Sequence, residues 1–217
     1  MASTPKRPTA ASAGRITAVA FDFDQTITRV NMTNARDQES GQKLFGTAAK
    51  AGAYFHHPPA EWRTQFLSGA FAGGERTREL LVALKRQGVK LYVASFGYRH
   101  LIDEVVWALF GDEELFSAIY TPADFGAKEN SDDLKSKLAM MKAVVGASAH
   151  NSALLVDDSA SNIRSATGVQ VPVAGTVTEP RTSLLYRGFY VLSDEGLTMD
   201  ALERIVAYVT HVNSINP

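Results

Sequence analysis

An apolar run, ITAVAFDFD at residues 16 to 24, ends in two carboxylates, Asp22 and Asp24, and a later run, SALLVDDS at 152 to 159, ends in two more, Asp157 and Asp158. In a straight strand, residues two apart point to one face, so Asp22 and Asp24 would crowd like charges at close range. A hard divalent cation with oxygen ligands removes that repulsion. Mg²⁺ in particular takes one or two carboxylates and completes its octahedron with water and substrate phosphate. Either pair alone also reads as Asp closing a turn after a strand. Four carboxylates meeting at one sheet edge with no cation would be untenable, and together they argue for a cation site.

A third apolar run, VKLYVASFG at 89 to 97, closes with Ser95, Phe96 and Gly97 directly before a helical pattern. There a hydroxyl and free backbone N–H groups could receive an anion, although Ser95 also reads as an ordinary helix N-cap. A transferring phosphoryl group needs a fixed positive partner as well. Lys128, Lys135, Lys137 and Lys142 lie between the second and third strand patterns. Lys135 ranks first, because it opens the helix leading to the Asp157 strand; Lys137 and Lys128 stand behind it. Any one of them is otherwise a solvated surface charge.

These side chains need elements to bring them together. The three runs read as buried parallel strands, and helical patterns at 76 to 87, 98 to 110 and 133 to 145 fall between them. Gly88 stops the first of these helices, and Thr198 announces a last one in GLTMDALERIVAYV. Weaker strands are expected at Phe116 to Tyr120 and Val169 to Ala174. Strands alternating with helices predict an α/β, doubly wound, mostly parallel Rossmann-like sheet, whose ligand site lies at the carboxyl ends of the strands. That core takes residues 15–28 and 76–217. Residues 1–14 are expected to be a flexible tail, with an organelle transit segment as the other reading. Residues 29–75 are too long for a bare connection and read as a small helical insert after the first strand.

The order of an apolar strand ending DFDQT, a strand ending in Ser95, an intervening lysine and a strand ending DDS resembles the four motifs of the haloacid dehalogenase superfamily of phosphotransferases. The resemblance covers roughly residues 16 to 175. It implies that Asp22 is a nucleophile taking the phosphoryl group as an aspartyl-phosphate while binding Mg²⁺, and that Asp24 is the general acid/base, its backbone carbonyl also on the metal. It further implies that Thr26 steadies the turn and that Ser95 and a lysine, Lys135 first, hold the phosphoryl oxygens with the Phe96–Gly97 backbone. Asp158 would ligate Mg²⁺ directly, Asp157 directly or through water, and Asn162 would stand just behind. Asp24 favours phosphoryl transfer over dehalogenation, since a departing oxyanion gains from a proton and a halide does not. The insert falls where relatives place a cap, with Tyr54, Phe55, His56, His57, Trp62, Arg63 and Phe66 as lid or as the insert's own small core.

The expected activity is a Mg²⁺-dependent phosphomonoester hydrolase. The alternative is a catalytically silent binding or regulatory protein of the same fold, and a receiver-like domain is a third reading that the insert after DFDQT argues against. A small phosphorylated substrate is expected, a phosphoprotein being a further candidate; oligomeric state stays open. The 22 Lys+Arg and 23 Asp+Glu of the 217 residues give a net charge of -1, which supplies no field to recruit nucleic acid or an anionic membrane. No apolar run approaches the roughly 20 residues of a membrane span. With no cysteine there is no disulfide, thiolate nucleophile or zinc–thiolate site, and a cytoplasmic location is expected.

Overall fold

The computed structural model describes residues 14–32, 34–35, 43–45, 61–111, 115–128, 137–146, 152–170, 172–179 and 185–216. Strand β1 (Ile16–Phe21) is central, pairing in parallel with β2 (Lys90–Ala94) on one side and β4 (Ser152–Asp157) on the other. Strand β3 (Ala118–Tyr120) lies outside β2, and β6 (Tyr186–Tyr190) lies outside β4, both parallel. A two-residue strand, β5 (Val177–Thr178), closes that edge antiparallel to β6, giving the order β3-β2-β1-β4-β6-β5.

The apolar runs are near-continuous because both faces of the sheet are buried. Val19, Phe21, Leu91, Val93, Leu154 and Val156 face one core, while Ala18, Ala20, Tyr92, Ala94, Ala153 and Leu155 face the other. The first core is covered by α1 (Trp62–Phe66), α2 (Gly69–Ala72), α3 (Glu75–Arg86), α4 (Arg99–Phe110) and α7 (Met199–Ile215). The second is covered by α5 (Leu138–Val145) and α6 (Ala160–Thr167). Helix α3 stops where expected, Gly88 taking a left-handed φ of 79° and returning its N–H to the Lys85 carbonyl at 2.9 Å. The Thr198 side chain caps α7 by accepting the Ala201 N–H. Of the 29–75 segment, Trp62, Phe66 and Phe71 are buried in the first core, whereas Tyr54, Phe55, His56 and His57 lie outside the described residues.

One expected strand is corrected. Across Val169 to Ala174 the described residues form no strand, and Ala174 alone touches the sheet, through a single bridge to Tyr190. The position beside β4 belongs to the YRGFY segment of β6, which hides its character by carrying Arg187 and Gly188 in its middle. Arg187 is nonetheless 2% exposed, because its Nε pairs with Glu179 Oε2 at 3.1 Å and its Nη1 donates to Ser152 Oγ at 2.8 Å. The Tyr208 hydroxyl donates to the other Glu179 oxygen and ties α7 to the same group. Gly188 is required for packing rather than for φ. A Cβ there would lie 2.6 Å from Ile163 Cγ2 and 3.1 Å from Thr167 Cγ2 on α6. Gly188→Ala is therefore expected to cost about 2 kcal/mol through overpacking, measured as a lower urea midpoint at an unchanged m-value.

Candidate active site

The carboxyl ends of β1, β2 and β4 meet, and the residues closing each run meet with them. The Asp22 N–H donates to the Val156 carbonyl at 2.8 Å, so the first carboxylate is fixed by the strand that carries Asp157. After Asp22 the chain turns sharply. Gln25 takes φ 61° and ψ 15°, the one left-handed non-glycine among the described residues, a conformation that costs a side-chain-bearing residue about 1 kcal/mol. Thr28 steadies this turn: its N–H donates to the Phe23 carbonyl at 3.0 Å, and its Oγ1 accepts the Gln25 N–H at 3.3 Å while donating to the Val30 carbonyl at 2.8 Å. Thr26, singled out in the sequence, is buried with its hydroxyl unpartnered, and its carbonyl accepts the Leu197 N–H at 3.0 Å.

The lysine among these groups is Lys137, at the N-cap position of α5. Lys135 lies outside the described residues. Lys137 is fully buried and spends all three of its protons: on Asp22 Oδ1 at 2.5 Å, on the Ala94 carbonyl at 2.5 Å, and on Asp157 Oδ2 at 3.2 Å. The Phe96 ring covers it, its centroid 5.0 Å from Nζ. Burial alone would favour the neutral amine, yet Asp157 and Asp22 outweigh it and hold the lysine pKa above its ordinary value. Removing the ammonium alone would strand Asp157 in the interior, a loss of about 3–5 kcal/mol.

Asp157 is fully buried and held by donors on both oxygens: Oδ1 accepts the Ser159 N–H at 2.8 Å, and Asn162 Nδ2 reaches Oδ1 and Oδ2 at 3.0 and 3.1 Å. Asp22 and Asp158 line an open pocket of about 340 Å³ with Asp24, Gln25, Asn31, Ser95, Phe96, Gly97, Ser159, Ser161 and Asn162. Ser95 lies ahead of α4, whose N-cap position is Tyr98, so the serine is not a helix cap; its Oγ accepts the Gly97 N–H at 3.0 Å. Gly97 leaves space for the second carboxylate, since a Cβ there would sit 3.1 Å from Asp24 Oδ2 and 3.3 Å from Ser95 Oγ. Lys128 is described but is not among the pocket residues.

The charge balance at this edge fits a divalent cation. Carboxylate oxygens of Asp22, Asp157 and Asp158 come within 4.8 Å of one another, and with Asp24 they set four carboxylates against one ammonium. Three of them are raised above the ordinary carboxylate range, and burial, which outweighs Lys137, does so even for Asp157. Burial first, then the Asp22 and Asp157 charges, raise Asp158 to about 7. Burial raises Asp24 to about 7, with the Asp22 charge adding to it and the Met32 N–H, donated to Asp24 Oδ1 at 2.7 Å, opposing it.

No family model matches the sequence, and neither does any curated protein. Solved structures do match. The HAD domain of effector protein Lem4 from Legionella pneumophila aligns with a TM-score of 0.53 at 14% identity, covering 94% of this chain and 98% of that one. CbbY from Rhodobacter sphaeroides in complex with phosphate matches at 19% identity over 66% of this chain and 79% of its own, with a TM-score of 0.36. Cytosolic 5'-nucleotidase IIIB bound to cytidine matches at 14% identity over 94% of this chain and 89% of its own, with a TM-score of 0.39. The chain thus shares its α/β fold with the HAD domain of Lem4.

The raised carboxylates set a pH dependence. Between about pH 4 and pH 7 the folded, metal-free chain keeps protons on Asp24 and Asp158 that the unfolded chain has released, so these two groups make its stability fall as pH rises through that window. A cation competes with those protons. Millimolar Mg²⁺ is expected to raise Tm little at pH 5 and by several degrees at pH 8, read by thermal scans across that range. An equal gain at both ends would contradict the assignment.

Proposed function

We propose that this protein is a Mg²⁺-dependent phosphomonoester hydrolase that works through an aspartyl-phosphate on Asp22. The observation that carries the reading is the buried Lys137 ammonium clamped between Asp157 and Asp22, the latter lining a pocket with Asp24, Ser95 and Asp158. A nucleophilic carboxylate held by a cation, a second carboxylate able to carry a proton near neutral pH, and a hydroxyl lining the pocket are parts that phosphoryl transfer needs.

With Asp22 Oδ1 engaged by Lys137, Oδ2 is the oxygen that attacks phosphorus. The ester P–O bond breaks as Asp24 gives its proton to the departing alkoxide. Asp24, now a carboxylate, then takes a proton from water, whose oxygen attacks the same phosphorus. The bond to Asp22 breaks, inorganic phosphate leaves, and both aspartates return to their starting states. Ser95 Oγ–H and the backbone around Phe96 and Gly97 hold phosphoryl oxygens. Asp22 and Asp158, with Asp157 behind them and the Asp24 carbonyl beside them, would hold Mg²⁺, which when bound shields the negative charge of the phosphoryl oxygens. Asn162 keeps Asp157 aligned.

The substrate is a small phosphorylated molecule, and of the described residues after β1 it is Asn31 that meets it from the 29–75 segment. No helix among the described residues is long and apolar enough to cross a membrane. A chain without cysteine that uses Mg²⁺ suits the cytoplasm.

Asp22→Asn is expected to lower kcat on p-nitrophenyl phosphate by at least about 10³-fold, and Asp24→Asn to lower it by about 10²- to 10⁴-fold. EDTA removes wild-type activity and added Mg²⁺ restores it, while Mg²⁺ does nothing for Asp22→Asn. Turnover by purified Asp22→Asn near the wild-type rate would overturn the mechanism.

A further inference from the structure

Gln25 departs from local rules in a way the catalytic scheme does not use. Its backbone is left-handed, at φ 61°, a position that glycine would occupy without strain. A side chain kept there against that cost points to work done by the side chain. Gln25 lines the pocket beside Asp24, and its Nε2 donates to the Ser193 carbonyl at 3.2 Å. One of the two amide protons is so engaged, which leaves the oxygen as an acceptor and the second N–H as a donor. Asn31, on the same pocket, is engaged the opposite way: its Oδ1 accepts the Asn34 N–H at 3.1 Å, which leaves its amide N–H groups as donors.

Two side-chain amides lining one pocket, each able to give and to accept, match a hydroxyl group, which does both. The rest of the described lining is Phe96, hydroxyls, an amide and carboxylates. It contains no lysine or arginine to pair with a second anionic group. We propose that Gln25, with Asn31, reads a neutral hydroxyl-bearing leaving group, so that the substrate is the monophosphate of a polyol or sugar rather than a bisphosphate. This inference rests on the phosphatase reading above, and it makes Gln25 a determinant of substrate choice.

The test compares kcat/KM for glycerol 3-phosphate, for propyl phosphate, which has the same three-carbon chain without hydroxyls, and for fructose 1,6-bisphosphate, with p-nitrophenyl phosphate as a general reporter. Wild type is expected to favour glycerol 3-phosphate over propyl phosphate by about tenfold, the worth of one hydrogen bond at an open site, and to turn over the bisphosphate most poorly. In Gln25→Gly the glycerol-to-propyl ratio falls toward one while Tm holds or rises, because glycine fits the left-handed turn. Gln25→Asn, which keeps an amide and tolerates that φ, falls between. If Gln25 is only a tether for the Ser193 loop, Gln25→Gly instead lowers Tm and leaves the ratio untouched, and the inference is overturned. It is equally overturned if wild type hydrolyses p-nitrophenyl phosphate yet shows no preference between the three-carbon esters. Failure to hydrolyse any of the four esters would sink the phosphatase reading itself.

Discussion

The site is organised around one buried cation. Lys137 has no solvent contact, and an isolated ammonium in that position would be severely destabilising. It is tolerable because each proton meets an oxygen, and those oxygens come from three different strand ends: Asp22 after β1, Ala94 at the end of β2 and Asp157 at the end of β4. The same contact that neutralises the lysine thus joins the three strands at their functional edge. It also fixes the orientation of Asp22, since one oxygen of that carboxylate is engaged before any ligand arrives. Positioning done in the folded state need not be repeated at each turnover.

Around that clamp the other carboxylates divide by environment. Asp157 is enclosed by donors and serves the interior, whereas Asp24 and Asp158 face the pocket; burial raises all three. Chemically identical groups therefore acquire different tasks: one supports the lysine, one is suited to carrying a proton, and one is suited to a metal. Gly97 and Phe96 complete the division on the β2 side. The first leaves room for Asp24 Oδ2, and the second shuts water away from the ammonium.

Much of this was legible in the residues. Runs ending in DFD, ASFG and VDDS identify strands buried on both faces, and in a parallel sheet their polar tails must gather at one edge. The lysine was harder to read, because Lys135 and Lys137 both fit a helix approaching β4. Choosing between them depends on where α5 begins, and its first described residue is Leu138, directly after Lys137. Strand β6 escaped because a charged residue in a run normally signals exposure; Arg187 breaks that rule through Glu179 and Ser152, partners far from it in sequence or on another strand. Thr28 escaped because its role depends on the turn geometry, and so did the left-handed Gln25, since no glycine marks the position.

The outer strands of the sheet carry a consequence for how the chain behaves in company. β3 has three residues and β5 has two, so the two margins end on very short ladders. An exposed strand edge is a template on which another chain can add, and its hold grows with each backbone pair it offers. Here an incoming strand would find only two or three residues to register against. The three strands that carry the site, β1, β2 and β4, lie inside a sheet whose described margins give another chain little to grip.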